Sequence, residues 1–306
     1  MIQNSTRMSL CVFVALLWSG TTVLGATPTS GRVYLACAFG TRFVYHTDYT
    51  FDGVTLAADP VVTITTLPTA ADVLLAPDGD LIVGGQGVFC GGCIYKVNVT
   101  TGIAESRNAG NNNNALAIDP TGTIVYAGWI GTNPSEVPIA PFADGVVRTV
   151  TGDEPTITSL AFTPSHGAFY TTGGGGAGDF GQLTLGATYT TDRTLTNVPA
   201  TSVHYDPFSE SLIVSGGGMC IQVDPANPGV ILSARNDAPT ENYSELQSDG
   251  RGHLIGNRNV GDGALVAGAR VVGEGEEAVL QQHHRLDLRV ALEHLGGELG
   301  EREPRH

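Results

Sequence analysis

The sequence predicts an all-β chain built from repeats, on three observations. The composition is rich in glycine and poor in charge, an apolar-rich motif recurs at a nearly fixed interval, and each recurrence is followed by a turn and a second apolar run. Of 306 residues, 42% are hydrophobic and 15% charged, which is enough apolar surface for a substantial core and too much for a disordered chain. The 41 glycines stand beside many Thr, Val and Ile, and Lys, Glu and Gln are scarce before residue 270, so strands and turns are favoured over helices.

The recurring motif ends at Pro77, Pro120, Pro164, Pro207 and Gly250, at intervals of 43, 44, 43 and 43 residues. Its copies are Ala71–Pro77, Asn114–Pro120, Thr158–Pro164, Thr201–Pro207 and Ser244–Gly250. Proline fixes φ and cannot donate to a strand ladder, so it marks the turn between an inner strand and its antiparallel neighbour. The neighbours are Leu81-Ile82-Val83, Ile124-Val125-Tyr126, Phe169-Tyr170, Leu212-Ile213-Val214 and Leu254-Ile255. Third strands are expected at Ile94–Val97, Val146-Val147, Leu183–Leu185 and Ile221–Val223. Three to four short strands in each ~43-residue unit is the content of one β-propeller blade. A degenerate copy from Pro28 through Val33-Tyr34-Leu35 adds a unit without an inner strand, which the C-terminus would supply. About six blades are expected, with seven as the alternative.

The stretches Thr121–Gly128 and Pro77–Gly85 resemble the YVTN and NHL repeat propellers and their six-bladed relatives of the gluconolactonase and regucalcin type. The resemblance covers roughly residues 28–260 and implies a fold, since the superfamily spans lactonases, lyases and pure binding modules. The gluconolactonase type implies a Glu, an Asn and an Asp around one divalent metal. Of these only Asn114 has a counterpart, because Asp249 falls in a turn of the repeat.

Residues 1–25 read as a signal peptide: Arg7 is the positive flank, Leu10–Trp18 the apolar run, and Val23-Leu24-Gly25 the cleavage signal before Ala26. The run is short of the ~20 residues that span a bilayer, and no later segment could span one. The expectation is a monomer that is secreted, or periplasmic in a bacterium. Residues 26–260 form the propeller, and 261–306 are an atypical tail with five arginines between 270 and 305. Within the tail, Glu274–Leu295 could form a helix with Leu288, Leu292 and Leu295 on one face; disorder, or a frameshifted or mispredicted end, are the alternatives.

Without the signal peptide four cysteines remain. Cys90-Gly-Gly-Cys93 can close a short disulfide ring, whereas a redox role lacks its βαβ setting and a zinc site lacks a second pair; the pairing of Cys37 and Cys220 stays open. A net charge of −15 disfavours nucleic acid and favours a neutral or cationic partner.

Propellers bind ligands where inner strands begin, here at Asp72, Asn114, Ser159, Ser202 and Glu245. Asp72, Asn114 and Glu245 offer oxygens to a hard cation such as calcium. The plainer reading is a polar ring around a wet channel. His204 replaces the Leu74, Ala117, Ala161 or Gln247 of the other copies, which makes it a candidate base or ligand, or a hydrogen-bonded core histidine. Gly173–Gly178 fits G-x-G-x-x-G only formally, because strand residues follow it. Asn98 and Asn242 lie in glycosylation sequons. Two functions follow: a binding module for a protein, glycan or small molecule, or a metal-dependent lactonase-like hydrolase using Asn114 with Asp72 or Glu245.

Overall fold

The computed structural model describes residues 29–36, 42–51, 56–85, 92–110, 113, 115–128, 133–153, 157–173, 177–216, 219–236, 243–248, 253–258, 265–269 and 284–286. The expected signal peptide at residues 1–25, Asn114, Cys90, Asn242 and nearly all of the expected tail helix lie outside them. Every element among the described residues is a strand.

Five sheets are four-stranded antiparallel meanders, each strand paired with the next. The first blade holds β5 (Asp72–Leu75), β6 (Leu81–Gly84), β7 (Cys93–Val97) and β8 (Ala104–Asn108). The second holds β9 (Ala115–Ile118), β10 (Ile124–Gly128), β11 (Ser135–Pro138) and β12 (Arg148–Thr149). The third holds β13 (Ser159–Thr163), β14 (Gly167–Thr171), β15 (Ala177–Leu185) and β16 (Tyr189–Pro199). The fourth holds β17 (Ser202–Asp206), β18 (Ser211–Gly216), β19 (Met219–Val223) and β20 (Ile231–Asn236). The fifth holds β21 (Tyr243–Ser248), β22 (His253–Arg258), β23 (Leu265–Ala269) and β24 (His284–Leu286).

The N-terminal sheet differs, and the expected count of six or seven blades is corrected to five regular ones. In that sheet β1 (Thr29–Ala36) pairs with β2 (Phe43–Phe51). Both β3 (Leu56–Ala58) and β4 (Val62–Thr66) then share the far side of β2: β3 meets Tyr49–Phe51, and β4 meets Phe43–His46. The sheet is therefore three strands wide. β1 lies beside β5 as β5 lies beside β9, so this unit carries its own inner strand and needs none from the C-terminus. Two further expectations change. Val146-Val147 precede the fourth strand of their blade, the third being Ser135–Pro138, and residues beyond 261 supply β23 and β24.

The turns after the inner strands form for local reasons. Asp119 accepts the N–H of Gly122 on its carbonyl, with Pro120 at the second turn position and Gly122 at φ +72°, where an L side chain would be strained. The Asp119 carboxylate also takes the N–H groups of Thr121, Thr123 and Ile124 and the Thr121 hydroxyl. Asp206 caps the equivalent turn by accepting the N–H groups of Phe208 (3.1 Å) and Ser209 (3.2 Å).

The core lies between sheets. Alternate residues of each strand face opposite neighbours, so a blade contributes side chains to a joint on either side. Ile82 and Ile94 meet Leu116, Val125 and Val137 between the first and second blades. Tyr126 meets Leu160, Tyr170 and Tyr189 between the second and third. Phe169 and Phe180, stacked with centroids 5.9 Å apart, meet Val203, Leu212 and Val214 between the third and fourth. Outer strands add polar ties: Arg107 donates to the Phe142 carbonyl, and Arg148, paired with Glu136, reaches the Gly186 carbonyl at 3.3 Å.

Candidate functional site

Of the residues expected at the channel mouth, Asp72, Ser159 and Ser202 open inner strands and Glu245 is the third residue of its strand, and the structure gives two of them a task within the scaffold. Asp72 begins β5; its Oδ1 accepts the N–H of Val73 at 2.7 Å, and its Oδ2 accepts the N–H of Leu116 in β9 at 2.8 Å. Ser159 begins β13, and its hydroxyl accepts the N–H of Val203 in β17 at 3.2 Å while lying 3.3 Å from the Val203 carbonyl. Both contacts span 44 residues and join the same repeat position of one blade to the next. The position is a clamp between inner strands. Ala115, which holds it in the second blade, has no polar side chain to offer.

Ser202 opens β17 and is buried. Glu245 stands in β21 opposite Asn257. Asn114 lies outside the described residues; its neighbour Asn113 is buried and donates from Nδ2 to the carbonyls of Gly92 (2.8 Å) and Cys93 (3.1 Å). Among the described residues no three His, Cys, Asp or Glu side chains converge as a metal site. Cys93 opens β7, and Cys220 lies half-buried in β19.

His204 occupies the centre of β17 opposite Ile213. Val203 and Tyr205 face the third blade, so His204, with Ser202 and Asp206, faces the fifth. Burial strips water from the imidazole and lowers its pKa to about 4, against the attraction of Asp206, which acts to raise it. The ring is a neutral histidine of an inter-blade joint.

Asp206 is buried beside it and accepts hydroxyl hydrogen bonds from Ser209 at 2.5 Å and, across the joint, from Ser248 at 2.5 Å. Burial pushes its carboxyl up, but these bonds and the two turn N–H groups outweigh burial and hold it below the usual carboxylate range. Sequence reasoning missed Asp206 as a joint residue, because Asp-Pro in a repeat reads as turn chemistry. The signal available was the hydroxyl of Ser248, 42 residues on, at the copy's matching end.

No known protein family matches the chain, and no curated protein does. Its fold is similar to those of solved propellers. Virginiamycin B lyase from Staphylococcus aureus aligns at 11% identity and a TM-score of 0.52, over 84% of this chain and 88% of that one. A gluconolactonase from Xanthomonas campestris aligns at 12% and 0.53, over 71% and 80%. The Cps50 (Swd1) β-propeller domain of Myceliophteria thermophila aligns at 13% and 0.52, over 72% of each chain. At these identities the likeness shows the fold alone, and that fold is a β-propeller.

Proposed function

We propose that this chain is a secreted β-propeller that binds a ligand through the loops at the ends of its blades, with no chemistry of its own. The observation that supports the reading is the engagement of Asp72. A carboxylate whose two oxygens both accept backbone N–H groups, one of them in the next blade, is held as a joint of the scaffold. Joints of this kind keep the strands rigid and leave the loops to carry recognition.

The net charge of −15 selects against polyanions, so the partner class is neutral or cationic: a protein surface, a glycan or a small molecule. The leader at residues 1–25 and the Cys90–Cys93 ring belong to the same proposal, since both suit an oxidising, extracytoplasmic compartment. Among the described residues no helix is long and apolar enough to cross a membrane. The test is the mature chain on an array of neutral, cationic and sulphated glycans. Retention on neutral or cationic glycans supports the reading, and retention on sulphated glycans alone contradicts it.

A further inference from the structure

The fourth blade has two unlike faces. Toward the third blade it presents Val203, Leu212, Val214, Ile221 and Val223, all buried in one apolar cluster. Toward the fifth it presents Ser202, His204, Asp206, Ser211, Ser215 and Gln222, with Ile213 and Cys220 among them. Buried polar groups give a joint its strength only when each is satisfied, and water competes for every one of them once a gap opens.

Two comparisons between equivalent positions set this joint apart. At the centre of the inner strand, Leu74, Ala117 and Ala161 each belong to an apolar joint in the first three blades, and the fourth blade has His204. At the strand's start, the hydroxyls of Thr158 and Thr171 in the third blade lie 3.2 Å apart, and Thr171 donates to the Thr201 carbonyl across the joint. Their counterparts in the fourth blade, Thr201 Oγ1 and Ser215 Oγ, are buried without a hydrogen-bond partner. Among the described residues, Ser248 of the fifth blade donates to Asp206 across the joint, and Leu254 packs against Ile213 and Cys220. Behind Asp206 a polar chain runs through the sheet: Ser209 to Ser211 (2.7 Å), Gln222 to Ser211 (2.7 Å), and Ser233 to Gln222 (3.2 Å).

We infer that the joint between the fourth and fifth blades is an acid-sensitive seam, at which acidification releases the fifth blade from the fourth while the other joints stay closed. Among the described residues, the ionisable groups on the face of the fourth blade that carries His204 are Asp206 of its own strand, Cys220 of β19 and Arg235 of β20, the register partner of Cys220; from the fifth blade, Ser248 and Leu254 meet this face and carry no charge. A second proton on the imidazole would place a charge in this joint, and protonation of Asp206 would weaken its hold on Ser248. Both changes favour the open seam.

Hydrogen exchange of the mature chain tests this at neutral pH and at about pH 4.5, with rates corrected for the intrinsic pH effect. In wild type, opening of the segment 202–216 should increase roughly tenfold or more in acid, by linkage to a histidine that is ordinary when open. The segment 115–128 should keep its protection. His204→Leu and His204→Gln, residue types the repeat uses at this position, should each remove most of the acid effect. Ser248→Ala should raise opening of the segment 202–216 already at neutral pH. Equal loss of protection in both segments, an acid effect that survives both His204 variants, or a Ser248→Ala variant with unchanged opening would each overturn the inference.

Discussion

Asp72 and Leu116 stand 44 residues apart and are joined by one hydrogen bond, from the Leu116 N–H to Asp72 Oδ2 at 2.8 Å. Asp72→Ala leaves that part-buried N–H without its acceptor and should cost about 1–3 kcal/mol in chemical denaturation. Asp72→Ser, which copies the Ser159 solution, should recover part of the loss.

The stability of the chain should fall as pH drops from about 6.5 toward 4. The folded-state pKa of His204 is depressed to about 4, so the unfolded chain binds its proton first, and the stabilisation present above pH 6.5 is lost on the way down. The folded Asp206 carboxyl is also depressed, so its contribution is lost in the same direction, in the acid range below the ordinary carboxylate pKa. Urea melts across this window should show a decline of at most about 3 kcal/mol from His204, and His204→Leu should flatten it.

Glu210 closes the turn after β17 at φ +53°, a conformation in which an L side chain is strained. Glu210→Gly should be neutral or stabilising by up to about 1 kcal/mol, read as a shift in denaturation midpoint with an unchanged slope.

Phe169 is fully buried and stacks on Phe180 at the joint of the third and fourth blades. Phe169→Ala should cost about 3–5 kcal/mol, whereas Phe169→Leu should cost far less. Equal losses from both would mean that volume does not govern this joint.

If the chain is exported and closes the Cys90–Cys93 ring, neither thiol should react with a maleimide until a reductant is added. Labelling of both in native, unreduced protein would remove the ring from the account.

Much of the scaffold was legible in the sequence because two signals reinforce each other: the interval between Pro77, Pro120, Pro164 and Pro207, and the apolar strands on either side of each turn. Of the N-terminal sheet only β1, around Val33-Tyr34-Leu35, was legible. The sheet's third position is divided between β3 and β4, so no single run of residues announces it. The third strand of the second blade was misplaced because Ser135-Glu136-Val137-Pro138 carries one large apolar residue, while Val146-Val147 looks more strand-like but precedes a two-residue strand, with Val146 mostly exposed.

The site was legible as positions and not as roles. Asp72, Ser159 and Ser202 do open inner strands, and Glu245 lies two residues into its strand, but a polar side chain there can face a ligand or the next strand's N–H, and periodicity does not distinguish the two. His204 was visible as a break in the pattern. That it faces a polar joint depends on which of two alternating faces meets the fifth blade, and the packing of Val203 and Tyr205 against the third blade decides it.

Asp72 and Ser159 each tie their own inner strand to the next, and the reading proposed above gives these positions no metal to hold. Thermal melts of the mature chain with and without calcium or zinc, for wild type, Asp72→Ala and Asn114→Ala, test it most directly. Asp72→Ala should lower Tm by several degrees, roughly 2–4 °C per kcal/mol lost for a domain of this size, and neither metal should move any of the three curves. A metal-dependent rise in the wild-type Tm that Asp72→Ala and Asn114→Ala both abolish would contradict that reading and favour the metal-dependent hydrolase.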